Sequence, residues 1–155
     1  MYPVASLFVR YFDAFEAAVS SDQWEEVGDC FAEDCRYRVL GVPFACDLHG
    51  RAAVMDGFRR SLDGFDRRVD GRLLDLTALT RLGADQLSVQ LVSGYDRAGA
   101  PSLRLPVTMY AEFEQDRLVL LEDRYEPRWL GGALAWLETY GADLDPRYRH
   151  NEQLA

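Results

Sequence analysis

The feature that most restricts how this sequence folds is a change of period at Arg72. Before it, apolar side chains recur every three or four positions; after it they alternate. Leu7, Phe8, Tyr11, Phe12, Phe15 and Val19 predict an amphipathic helix over about residues 4–20. Ser20, Ser21 and Asp22 offer capping chemistry to a short second helix over 23–31, with Glu25 and Glu26 in its first turn. After a turn at Glu33 and Asp34, Cys35, Tyr37 and Val39 alternate with Arg36 and Arg38 in a half-exposed strand reaching Leu40. An irregular loop through Gly41, Pro43 and Phe44 returns to a short strand ending at Gly50. Val54, Met55, Phe58 and Leu62 trace a third helix closed near Gly64, and a polar connector covers 66–71. Four strands are then expected at about 72–82, 86–96, 102–114 and 117–126, separated by turn-forming clusters at 83–85, 96–101 and 114–116. Pro106 inside the third of them points to an edge position or a bulge. Beyond Pro127, Trp129, Leu130, Ala133, Leu134, Trp136, Leu137 and Tyr140 predict a closing helix over roughly 129–140, ended by Gly141. Helices first and a meander of strands after is an α+β arrangement. It forms one domain over 1–141 with a polar tail over 142–155, part of which Tyr148 could anchor.

Composition excludes several functions. The net charge of −9 repels a phosphate backbone, so nucleic acid is not expected as a partner. All 17 basic residues are arginine, and without lysine no Schiff base forms to a carbonyl substrate or pyridoxal phosphate. Cys30, Cys35 and Cys46 lack metal-ligand or redox spacing and read as small buried side chains. His49 and His150 form no paired motif, so neither a metal nor any cofactor is expected. No apolar run is long enough to span a bilayer. The start of the chain lacks the basic region of a signal peptide, which makes the cytoplasm the expected location.

Several local phrases, in order, resemble the nuclear-transport-factor-2-like superfamily and its SnoaL-like branch. They are Arg10-Tyr11-Phe12-Asp13-Ala14, then Trp24 with Phe31-Ala32-Glu33-Asp34 and Tyr37. His49-Gly50-Arg51 follows, and last Asp116-Arg117-Leu118-Val119 with Asp123-Arg124-Tyr125-Glu126-Pro127. The resemblance implies a cone of curved antiparallel sheet wrapped on three N-terminal helices, here with an added C-terminal helix. It also implies a pocket for a small hydrophobic molecule inside the cone, and a homodimer formed through the sheet. The family holds ketosteroid isomerases, polyketide cyclases, epoxide hydrolases and dehydratases, so the fold does not choose the reaction. Carried over residue by residue, the isomerase oxyanion tyrosine corresponds to Tyr11. The isomerase base falls near Val39 and its second oxyanion donor near Met109, and neither can exchange a proton. Asp123 matches the last-strand aspartate of the epoxide hydrolases, whose other two positions fall near Gln90 and Val92.

Asp123 alternates with Leu121 and Tyr125, away from Glu122, Arg124 and Glu126. With Leu121 inward, it is a carboxylate in an apolar cavity, fit for acid–base work; otherwise it pairs with a neighbouring arginine. His49 is either an auxiliary base at the pocket mouth or a hydrogen-bonded loop residue, and Asp47 competes for the same mouth. Tyr11, Tyr37 and Tyr125 are candidate orienting donors or rim tyrosines. Phe15, Phe58 and Met109 are core or pocket lining, Arg36 and Arg38 an outward pair, and the closing helix a lid or a dimer element. The expectation is therefore a cofactor-independent enzyme that isomerises, cyclises, dehydrates or adds water to a small apolar metabolite. Its rival is a non-catalytic ligand-binding or interaction module, separable by whether Asp123 lies in a cavity with a tyrosine or histidine beside it.

Overall fold

The computed structural model describes residues 2–41 and 43–145; the tail carrying Tyr148 and His150 lies outside the described residues. Helix α1 (Val4–Ser21) starts where Pro3, with its fixed φ, lends its carbonyl to the amides of Ser6 and Leu7. It buries Val4, Leu7, Phe8, Tyr11, Ala14 and Ala18, a stripe at helical spacing, and stops at Asp22 in a left-handed conformation. Helix α2 (Glu25–Asp29) is shorter than expected, and no side chain caps it. Ser21 and Asp22 are used otherwise: the Gln23 amide donates to Ser21 Oγ, and the Trp24 indole donates to Asp22 at 2.9 Å.

Strand β1 (Phe31–Leu40) begins four residues before the predicted start. The Leu118 amide donates to the Cys30 carbonyl at 2.8 Å and Phe31 pairs with Leu118, so a distant strand captures the chain as soon as the helix ends. The expected turn at Glu33 and Asp34 is instead a register irregularity within β1. Strand β2 (Cys46–His49) and helix α3 (Arg51–Gly64) follow, then a short 3-10 turn (Asp66–Arg68). Strands β3 (Gly71–Arg81), β4 (Gln86–Asp96), β5 (Leu103–Glu114) and β6 (Arg117–Tyr125) form the meander, and α4 (Pro127–Tyr140) closes the described chain. Pro106 is locally at an edge: β4 pairs with it through Val92, whereas the β5–β6 ladder starts only at Val107.

The sheet order is β2-β1-β6-β5-β4-β3, curved and unclosed, antiparallel throughout except for the parallel pair β1–β6. Helices α1, α2 and α3 pack on its inner face. There Phe58 is the hub of an aromatic cluster, with ring centroids 4.9 Å from Tyr37, 5.2 Å from Phe15 and 6.0 Å from Phe31. Phe44, Phe65, Tyr95 and Tyr125 form a second cluster; Phe65 meets Tyr95 edge-on at 4.7 Å and Phe44 lies 5.1 Å from Tyr125. Helix α4 packs against β5 and, through Leu130, against Gly41 at the end of β1. Leu130, Ala133 and Trp136 are buried, and the Trp136 indole donates to the Pro101 carbonyl at 2.7 Å.

Candidate functional site

Asp123 reaches its position through the pleat of β6. Leu121, Asp123 and Tyr125 point inward and are buried, whereas Arg124 on the opposite face is exposed. Glu122 also faces outward yet is fully buried, because Arg38 and Arg124 close over it. In the ladder, Asp123 lies between Val39 of β1 and Met109 of β5. Two residues before Val39, Tyr37 projects from the same face, and its hydroxyl donates to Asp123 Oδ2 at 2.7 Å. The other oxygen, Oδ1, is buried with no hydrogen-bond partner among the described residues.

Burial pushes the Asp123 carboxyl up to about 7; the Tyr37 hydrogen bond opposes this and the charge of Glu122 adds to it. Tyr11 is raised well above the ordinary tyrosine range, first by burial and then by Asp123. It therefore stays a neutral hydroxyl at any working pH.

Asp123 faces a cavity of about 50 Å³. Tyr11, Phe15, Tyr37 and Phe58 line it from the helices and β1, with Phe12, Ser61 and Leu62 beside them. Leu91, Ser93 and Tyr95 of β4, Val107 and Met109 of β5, and Tyr125 of β6 complete the sheet side. Asp66, Arg72 and Leu74 line the remainder. Arg72 donates through Nε to Asp66 at 2.7 Å and through Nη1 to Glu16 of α1 at 2.9 Å. Burial raises the Asp66 carboxyl from its ordinary value despite Arg72, whereas Arg72 is held more firmly protonated by Glu16 and Asp66 against the effect of its own burial.

Of the residues singled out in the sequence, Asp123, Tyr11, Phe15, Tyr37, Phe58, Met109 and Tyr125 come together around this cavity. Val39 is buried beside Asp123 in the ladder but is not part of the lining. His49 is not there either: its side chain is 69% exposed at the end of β2, with Nε2 3.2 Å from Asp47. Asp47 is itself held by Arg36 at 2.6 Å, on the outer face. Gln90 and Val92 also face outward, because on β4 the odd-numbered Leu87, Val89, Leu91 and Ser93 take the inner face. No residue of α4 lines the cavity. Asp66 and Arg72 were not anticipated; they read as parts of a solvated connector and strand end, and only the charge of Arg72 at the point of the period change hinted otherwise. Among the described residues no group of three His, Cys, Asp or Glu side chains could hold a metal ion.

A family model for the SnoaL-like domain matches residues 4–101. No curated protein matches the sequence. A candidate isomerase from Rhodopseudomonas palustris superposes with a TM-score of 0.67 at 20% identity, covering 83% of this chain and 96% of that one. A protein of ketosteroid isomerase-like fold from Catenulispora acidiphila, solved in complex with trimethylamine, gives 0.61 at 20% identity over 88% and 94%. An LEH-like epoxide hydrolase from M. tuberculosis gives 0.61 at 17% identity over 86% and 94%. At these identities the likeness is one of fold.

Proposed function

The chain belongs to the SnoaL-like domain family, and from that premise we propose that it is a cofactor-independent enzyme in which Asp123 transfers a proton to or from a small substrate. One observation carries this: Asp123 is buried in the cavity with Oδ2 held by Tyr37 and Oδ1 unpartnered. With a pKa near 7, it exists as acid and as base in comparable amounts around neutral pH, the condition under which a carboxyl both takes and returns a proton efficiently. Tyr37 holds Oδ2 and leaves Oδ1 as the oxygen available to exchange a proton. Tyr11 and Tyr125, also in the lining, are the candidate donors to a substrate oxygen.

The positions that correspond to the isomerase acids, Val39 and Met109, flank Asp123 on the two neighbouring strands. The ionisable group is thus displaced by one strand, not lost. With Gln90 and Val92 outside, the positions that would complete the water-holding set of the epoxide hydrolases lie off the cavity, which favours isomerisation, cyclisation or dehydration over hydrolysis of an epoxide. A cavity of about 50 Å³ holds the reacting part of a substrate, and the half-buried Phe12, Phe15 and Leu74 mark the side on which the rest would leave.

Proton transfer is testable without the natural substrate. Small cyclic enones and ketones are incubated with the protein in D2O and deuterium incorporation at carbon is followed by NMR. The wild type is expected to accelerate exchange and Asp123→Asn to abolish it; no acceleration, or equal acceleration by both, removes Asp123 from any mechanism. The non-catalytic alternative draws on the hydrogen bond from Tyr37, which by itself suffices to hold Asp123 as a structural group. It predicts resonance shifts on adding ligand without exchange. We also propose a homodimer through the outer face of the sheet, where Leu73 is exposed and Val92 and Pro106 half-buried, in a cytoplasmic protein. Sedimentation showing a monomer overturns the dimer.

A further inference from the structure

The ionisable groups that line the cavity are mostly of one sign. Asp123 lines it with one carboxylate oxygen, Oδ1, that has no hydrogen-bond partner among the described residues, and Asp66 supplies a second carboxylate. Arg72, the one cation among the described lining residues, is already bonded to Asp66 and to Glu16. The Tyr37 hydroxyl donates to Asp123. An entering anion would therefore face two carboxylates with the guanidinium engaged elsewhere, at short range and in a poorly screened space. A cation would meet the Asp123 carboxylate, and around it the rings of Tyr11, Tyr37 and Phe58, whose π faces attract positive charge; the Phe15 ring already has Arg72 over it at 5.9 Å.

We infer that the molecule bound here presents a compact positively charged nitrogen, an alkylammonium or iminium group, to Asp123 Oδ1. This rests on the acid–base reading and narrows its substrate class. The small volume leaves no room for a fused ring system beside Asp123 and limits what stands there to a compact group. The inference also fixes a direction for the chemistry. A positive charge beside the carboxyl favours its ionised form, so Asp123 enters the reaction as a base. In an iminium, the C–H on the carbon next to the C=N carbon is the acidic one: Asp123 takes its proton and the electron pair becomes the C=C bond of a neutral enamine, whereas an alkylammonium group, with no orbital to take that pair, would only be bound.

Three probes of similar shape and different charge test it by NMR titration of the ¹⁵N-labelled protein: tetramethylammonium, tert-butanol and pivalate. Tetramethylammonium is expected to bind roughly tenfold or more tightly than tert-butanol. Pivalate should leave the resonances around Asp123 unmoved. Asp123→Asn, checked for folding by the dispersion of its spectrum, should lose the preference for the cation and keep tert-butanol binding. Equal or tighter binding of tert-butanol overturns the inference and leaves acid–base chemistry standing, as does binding of pivalate or an unchanged preference in Asp123→Asn. A cavity silent to all three probes overturns both.

Discussion

Asp123 binds a proton more tightly in the folded chain than in the unfolded one, and that has a measurable consequence for stability. Its carboxyl is pushed from 3.8 to about 7 by burial. Between those values the native state holds a proton that the unfolded state has released, so this group's contribution to stability falls as pH rises from about 4 to about 7. The fall is on the order of 4 kcal/mol. Asp123→Asn removes the titration but keeps the shape, so the variant should gain on the wild type by about 3 kcal/mol between pH 5 and pH 8 in urea unfolding. Equal pH profiles would show that the carboxyl is hydrated in solution. Tyr37→Phe acts in the opposite sense to a rescue. It removes the hydrogen bond that holds the carboxyl down, so the pKa climbs further and the base limb of the pH–rate profile moves to higher pH. Proton exchange at pH 7 should drop roughly ten- to hundredfold. A limb that stays in place would mean that Tyr37 is a wall residue only.

At the scale of elements, the junction to examine is the parallel pair β1–β6, since it positions both Tyr37 and Asp123. Arg38 faces Glu122 across this pair and donates to it at 2.6 Å through Nε; Glu122, although on the outer face, is fully buried. Arg38 and Arg124 hold the Glu122 carboxyl below its ordinary value even though burial works the other way. Removing one partner leaves a buried charge half-compensated. Arg38→Ala should therefore cost about 2 kcal/mol in urea unfolding, and Arg38→Ala with Glu122→Gln less than the single variant. Gly41, just past β1, is a second such point. Its φ is +127°, and a Cβ there would lie 2.7 Å from Leu130 Cδ1 of α4 and 3.2 Å from Tyr125 Cβ. Gly41→Ala is expected to destabilise by roughly 1–3 kcal/mol, by strain and by pushing α4 off the sheet. The elements themselves were legible from periodicity, because a period of two or 3.6 follows from backbone geometry. The face that Asp123 shares with Leu121 and Tyr125 was legible for the same reason, whereas the choice between a cavity and an arginine partner needed the fold. Gln90 and Val92 went to the wrong face because they were assigned by register with distant relatives, and one residue of slip turns a whole strand over. The Glu16–Arg72–Asp66 cluster had no local signal, since Glu16 and Arg72 stand 56 residues apart and meet only when α1 docks beside β3.

In the whole molecule, core and cavity are one continuous space, divided by a few aromatic rings. Phe58 is 2% exposed and touches Phe15, Trp24, Phe31 and Tyr37, yet it also lines the cavity. The same ring thus belongs to the packing that stabilises the cone and to the wall that limits what enters it. Phe58→Ala separates the two roles. Loss of the ring should destabilise by about 3–5 kcal/mol, the cost of its burial plus that of the void it leaves. If the surrounding frame of sheet and helices is stiff, the void persists and joins the existing cavity, and an apolar ligand then binds the folded state alone and restores stability by mass action. Indole at millimolar concentration should raise the melting temperature of Phe58→Ala by several degrees and leave the wild type unchanged. A smaller loss, about 1 kcal/mol with no response to indole, would mean that α3 collapses inward and that the cone has no shape of its own once the ring is gone. The first outcome is the one expected here, because the wall opposite Phe58 is a hydrogen-bonded sheet whose inward side chains are set by its pleat, and that sheet stays put when one helix loses a side chain.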